Sequence, residues 1–240
     1  MGKKNKKKKG MKRIIFFLMT VALLTSCNIH IDKTVSSYVE VSRPLTGFER
    51  ISMTGAMDVE YIQADSFSVK VQGPNVDEIM KVETEVEGNE LRISMKNGSH
   101  FLHFGDSNAD DIKVLVTSPD FLGISLMGSG DFLSAQPLDT DTLTIELRGS
   151  GDIRFQDVIC DQVNVSLIGA GDVSLDRVQT QWGQLDLIGS GDIDVFFDQS
   201  GEVNAQVKGS GDIEMKGTVR KMNKLVRGTG DIDTDELMVR

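Results

Sequence analysis

Six aspartates recur at nearly constant spacing in the C-terminal half of the chain: Asp131, Asp152, Asp172, Asp192, Asp212 and Asp231. Each closes a Gly-Ser/Ala/Thr-Gly-Asp tetrapeptide. The glycine pairs are Gly128 and Gly130, Gly149 and Gly151, Gly169 and Gly171, Gly189 and Gly191, Gly209 and Gly211, and Gly228 and Gly230. Successive first glycines are 21, 20, 20, 20 and 19 residues apart. A row of carboxylates at fixed spacing can do two kinds of chemistry. It can collect cations, with calcium favoured by oxygen ligands. It can also accept hydrogen bonds from turn N–H groups or the Ser hydroxyls, as aspartate does in Asx-turns. Stacked in register, neighbouring carboxylates would stand about 5 Å apart and repel by about 1 kcal/mol per pair in water, less with salt. One of the two remedies must therefore operate. Hydrogen bonding within the turn is the favoured reading, and an edge that binds cations or a ligand is the alternative. The calcium-binding nonapeptide roll repeats Gly-Gly-x-Gly-x-Asp every nine residues or so and does not match.

Other reactive side chains are few. Lys3 to Arg13 is basic, Ile14 to Leu24 is apolar, and the run ends in Leu24-Thr25-Ser26-Cys27. That order resembles a bacterial lipoprotein lipobox, in which Cys27 is lipidated and becomes the mature N-terminus. The apolar run is too short to span a bilayer and suits a signal peptide. Translation can start at Met1 or at Met11, since Met11-Lys12-Arg13 already supplies a basic lead. With Cys27 acylated, Cys160 is left as a lone thiol, so no intramolecular disulfide forms. No positive charge lies near Cys160 in sequence, so it reads as a small buried hydrophobe and not a nucleophile. His100, His103 and Asp106 lie close together and read as a solvated loop, not as a metal site. No Gly-x-Ser-x-Gly, His-Glu-x-x-His or phosphate loop occurs. No cofactor is expected.

The formal charge of −10 hides an asymmetry. Residues 1–26 hold eight basic residues and no acid, which leaves 18 basic against 36 acidic residues in the remainder. A body so acidic argues against nucleic acid as a partner, because phosphate contacts need Lys and Arg.

The elements that position the aspartates follow from alternation. Two residues before each first glycine stand Leu126, Leu147, Leu167, Leu187, Val207 and Val226; directly after each aspartate stand Phe132, Ile153, Val173, Ile193, Ile213 and Ile232. Each repeat is thus a half-buried strand, a glycine corner, a second half-buried strand and a return carrying Leu138, Val158 or Val178. The residue after the aspartate faces in, so the aspartate faces out. One such unit cannot bury its own apolar face, but stacked coils can. The prediction is an all-β fold: a parallel β-helix of about 20-residue coils with an irregular N-terminal cap. A β-sandwich is the alternative, but it predicts no identical turn at every second connection. Gly55-Ala56-Met57-Asp58 reads as a degenerate copy of the corner. Pro74 to Val82 carries the one helical signal, and Gly88-Asn89 reads as a hairpin turn. The domain scheme is a signal peptide at 1–26, a lipidated tether at 27–45, and one body at 46–240, irregular over 46–120 and regular over 121–240.

The lipobox leader, Gly55 with Asp58 and Val59, Pro119-Asp120-Phe121-Leu122 and the run of Gly-Ser-Gly-Asp-Ile corners together resemble the putative auto-transporter adhesin, head GIN domain family. The likeness covers about residues 46–240. It implies a right-handed parallel β-helix, common in Bacteroidetes lipoproteins, with adhesion proposed and no catalytic motif to carry over. Met57 and Lys224 depart from the regular pattern and put the pairing of the first and last coils in question. The expected function is a non-enzymatic, lipid-anchored envelope protein, at the outer membrane on its periplasmic or surface side, presenting a solenoid wall to a glycan or protein. Self-assembly into a homo-oligomer is the second reading, with Met127, Ile168 and Ile188 as an outward apolar patch. A polysaccharide lyase or hydrolase is the third.

Overall fold

The computed structural model describes residues 38–96 and 112–240. Cys27, the leader, most of the tether, and His100, His103 and Asp106 lie outside the described residues. The chain is an all-β solenoid of about six turns. Its regular part contains β8 (Gly123–Gly128), β9 (Phe132–Ser134), β10 (Leu138–Gly149), β11 (Ile153–Phe155), β12 (Val158–Gly169), β13 (Val173–Gly189), β14 (Ile193–Gly209) and β15 (Ile213–Gly228). Two short strands, β16 (Ile232–Asp233) and β17 (Leu237–Val239), complete the last coil. Each coil has three sides: a first side before the glycine corner, a second after it, and a third that runs through a bend into the next first side. All these strands pair in parallel with the same residue of the repeat. Ile145, for instance, stands beside Ile124 on one side and Val165 on the other.

The period-two alternation is what fills the interior. Leu126, Leu147, Leu167, Leu187 and Val207 are all buried, as are Phe132, Ile153, Val173, Ile193, Ile213 and Ile232. In the first coils the filling is aromatic. Tyr61 stacks on Phe121 with ring centroids 4.2 Å apart, and Phe132 lies 5.2 Å from Phe155. The Tyr61 hydroxyl reaches Ser118 Oγ at 3.0 Å, and burial pushes its pKa up to about 12.

The N-terminal half is built differently from a simple succession of coils. β1 (Val39–Arg43) precedes β2 (Arg50–Gly55) and β3 (Asp58–Gln63); then come β4 (Ser68–Gly73), α1 (Val76–Ile79), β5 (Val82–Glu87), β6 (Glu90–Met95) and β7 (Lys113–Ser118). β2 pairs in parallel with β8 on one side and β6 on the other, and β3 pairs likewise with β9 and β7. The coil made first in sequence is therefore second in space, sandwiched under the coil of β6 and β7. β5 pairs antiparallel with β6, and β4 antiparallel with β7 and β1. The hairpin turn is at Gly88, with φ of +64°, and Asn75 caps α1 by accepting the Glu78 N–H at 3.0 Å. The ordered body also begins before residue 46. Val39–Arg43 is a strand and not part of a tether, because β4 offers it a full antiparallel ladder from Val39 opposite Gly73 to Arg43 opposite Val69.

The two departures from the repeat leave the pairing intact. Met57 stands where later coils carry the second glycine, and its side chain is fully buried. Among the described residues no glycine corner precedes it, so nothing there demands a missing Cβ. Lys224 keeps its register opposite Ala205. It occupies an inward position in the last coil, where there is no further coil to cover. Its ammonium donates to the Ile232 carbonyl at 3.2 Å across the end of the core, with the apolar stem beneath it.

Candidate functional site

The glycine corners stack into a continuous ladder. Taking the corner at Gly169-Ala170-Gly171-Asp172, the N–H groups of Ala170 and Gly171 both donate to the Gly149 carbonyl, at 2.9 and 3.3 Å. That double use leaves the Asp172 N–H without a backbone acceptor, and a buried or stacked N–H must find one. Asp152 Oδ1 supplies it, at 3.1 Å. The same bond recurs from Asp131 to Asp58, Asp152 to Asp131, Asp192 to Asp172, Asp212 to Asp192 and Asp231 to Asp212, at 2.7–3.2 Å. The remedy is thus a hydrogen bond, but its donor differs from the expected one. It comes from the next coil and not from the same turn, and the Ser hydroxyls take no part. Asp58 is a seventh member of the row.

Both glycines of each pair are pressed against the neighbouring coil, a Cβ on Gly169 standing 2.0 Å from the Gly149 carbonyl oxygen, and the first glycine is fixed by its backbone conformation as well. Gly169 has φ of +146°, a left-handed conformation that L side chains rarely adopt. Gly171 has no such φ, yet a Cβ there would stand 2.0 Å from the Gly151 carbonyl oxygen. The corner between them is closed by contact with the coil below, and only a residue without Cβ fits.

All six predicted aspartates are exposed, and the structure brings them into one column. Near the C-terminal end a second acidic column runs beside it. Together Asp192, Asp194, Asp212, Glu214, Asp231 and Asp233 line an open groove of about 310 Å³. Burial and the Glu214 charge push the Asp194 pKa up. Among the described residues no group of three or more His, Cys, Asp or Glu side chains is arranged to hold a metal ion. Cys160 is a buried free thiol, raised in pKa by burial, with Sγ 3.6 Å from Thr180 Oγ1. It packs as the small hydrophobe expected.

A second surface is the outward side of the first face, where β6, β2, β8, β10, β12, β13, β14 and β15 run side by side. Its residues form columns by register. The column just before the corner contains Met127, Arg148, Ile168, Ile188, Lys208 and Arg227. Met127 is 51% and Ile188 41% exposed.

The family described as "Putative auto-transporter adhesin, head GIN domain" matches residues 47–181 and 176–240. The chain belongs to that family. Solved structures with the same fold include a putative adhesin from Bacteroides fragilis, with 24% identity over 81% of this chain and 95% of that one, and a TM-score of 0.61. Another is a putative lipid binding protein from Parabacteroides distasonis, with 20% identity over 85% and 97% and a TM-score of 0.65. A third is a putative adhesin from Parabacteroides merdae, with 15% identity over 85% and 96% and a TM-score of 0.62. No curated protein matches.

In this head GIN domain the repeated motif is accounted for as the corner that lets coils stack. The outward residues of the first face lie between the motifs, and their types vary from coil to coil. Periodicity alone therefore does not single them out. The exception in residue type is Trp182, the one tryptophan of the chain, placed by alternation on the outward side of β13.

Proposed function

We propose that this head GIN domain is a non-enzymatic, lipid-anchored binding module of the cell envelope, in which the first face of the solenoid is the working surface. The observation that carries this reading is the wall of eight parallel strands β6, β2, β8, β10, β12, β13, β14 and β15. No described element packs over its outward side, and its strands from β2 to β15 are held in fixed register by the corner ladder. A rigid wall of that kind presents side chains at set intervals to an extended partner without ordering cost on the protein's side. The description of the family as an adhesin agrees with a binding role.

The test uses beads coated with the full chain and arrays of immobilised glycans and matrix proteins. Saturable retention above that of beads carrying an unrelated acidic protein supports the reading, and retention on neither class of spot overturns it. The anchor is tested separately: Cys27→Ala should move the protein from the membrane fraction to the soluble envelope fraction, and unchanged membrane association would remove the lipid from the proposal.

A second reading, side-by-side assembly, is favoured by the outward apolar residues Met127 and Ile188 on the same wall. Light scattering after size exclusion decides it. A monomer at tens of micromolar removes the reading.

A further inference from the structure

Within that wall one strip differs from the rest of the molecule in charge and in chemistry. Register places Thr142, Gln162, Trp182, Glu202 and Lys221 in one column, and Thr144, Asn164, Gln184, Asn204 and Asn223 in the next. The body carries twice as many acids as bases, yet these five residues of the second column are uncharged, and the column reaches a charge only two strands further on, at Arg50. In the first column the two charges cancel, since Lys221 Nζ lies 2.8 Å from Glu202 Oε1. Trp182 is 40% exposed in the middle of the strip. Its indole N–H bonds to no group among the described residues. An exposed tryptophan on a flat sheet is costly in water and offers both a planar apolar face and a donor at its rim.

The amides around it are only partly used. Gln162 Nε2 donates to Asn164 Oδ1 at 3.0 Å, which leaves the Asn164 amide hydrogens free. Gln184 Nε2 donates to Asp186 Oδ2 at 3.0 Å, which leaves Gln184 Oε1 free as an acceptor. Asn204 Oδ1 accepts from Asn223 Nδ2 at 2.8 Å, again leaving the Asn204 amide hydrogens. Successive coils, about 4.8 Å apart, thus present donors, an acceptor, and donors. A hydroxyl is both donor and acceptor and can meet each of them. Glu202 and Lys221 are already paired with each other, so a charged ligand finds no unpaired counter-ion among these ten residues, while a ligand rich in hydroxyls with apolar ring faces finds both of its needs.

We infer that the strip around Trp182 binds a neutral glycan, with the indole stacked on a sugar ring face and Asn164, Gln184 and Asn204 exchanging hydrogen bonds with its hydroxyls. This rests on the binding-module reading above and narrows it to one place and one class of ligand. Because Trp182 is the sole tryptophan, its emission reports directly on the site. The experiment titrates the full chain with neutral hexasaccharides of glucose, mannose, xylose and N-acetylglucosamine, and with a sulfated oligosaccharide as charged control. A saturable change in emission is expected with at least one neutral probe and none with the sulfated one. Trp182→Ala, followed by calorimetry, should weaken that binding by ~10-fold or more, as for a central aromatic anchor. Asn164→Ala and Asn204→Ala should each weaken it several-fold. The substituted side chains lie on the outer surface, so melting curves of the variants should overlay the parent. Three results overturn the inference: no response to any neutral probe, a stronger response to the sulfated one, or unchanged affinity in Trp182→Ala. The bead assay separates the two levels. Retention on matrix-protein spots alone keeps the binding module and removes the glycan site, retention on neutral-glycan spots that survives Trp182→Ala moves the site elsewhere, and retention nowhere removes both.

Discussion

Asp172 shows what each motif aspartate does. It stands mid-row, accepting the Asp192 N–H through Oδ1 while its own N–H donates to Asp152. Asp172→Ala should leave the Asp192 N–H without an acceptor and destabilise the fold by about 1–2 kcal/mol in urea melts. Asp172→Asn retains a carbonyl oxygen as acceptor and removes one charge from a row of seven. It should be neutral or slightly stabilising, and a loss equal to that of the alanine variant would mean the charge itself is required. Asp194 provides a pH-dependent counterpart. Its pKa is raised in the folded protein by burial and by Glu214, so the folded chain binds the proton more readily than the unfolded one. The strain is present at neutral pH and is relieved as pH falls through the raised value. Asp194→Asn should therefore raise the melting temperature at pH 7, and the advantage over the parent should shrink as the pH approaches the ordinary carboxylate range. The aspartates' outward direction was legible from the inward residue after each one. Their donors were not, because a bond between residues 20 positions apart leaves no trace in the local pattern.

At the scale of the corner, the sequence shows which residues are glycine but not that coil-to-coil contact constrains both of a pair while a left-handed φ constrains only the first. Gly171→Val tests the contact constraint. A Cβ 2.0 Å from the Gly151 carbonyl oxygen can be accommodated only by separating two coils, and a loss of ~3 kcal/mol or more in stability is expected. Ala170→Ser, at the exposed position between the glycines, should change stability by less than about 0.5 kcal/mol. Comparable small effects in both variants would place the close approach elsewhere. The strands themselves were readable wherever one face is buried, since alternation then has a single solution. β5 and β6 were readable through the Gly88-Asn89 hairpin turn between them. Their further partners were not: β2 is flanked by β6 and β8, and no local signal distinguishes a strand that joins the next coil from one that crosses back beneath the first.

For the whole molecule, the two ends of the solenoid differ. At one end the outermost coil, of β6 and β7, is covered by antiparallel strands β5 and β4, whereas the pre-corner segment of β15, Lys221 to Gly228, has no described strand on its far side. An open edge of that length invites pairing, and Lys221, Lys224 and Arg227 guard it with charge. Replacing all three by Thr should produce larger species than the parent at the same concentration, read by light scattering after size exclusion. An unchanged mass distribution would mean the edge is protected by something other than charge. The order of coils in space also sets the order in which they can close. Each regular coil pairs with a neighbour about 20 residues away, so the repeats can zip up as they become available. Arg50, by contrast, pairs with Glu90 and with Gly123, 40 and 73 residues further along the chain. The first coil to leave the ribosome or a translocation channel cannot be completed until the segment that covers it and the segment that supports it have both emerged. Such long-range closure is slow. The N-terminal coil is therefore the last to lock, and its apolar strands β2 and β3 spend the longest interval unprotected during biogenesis.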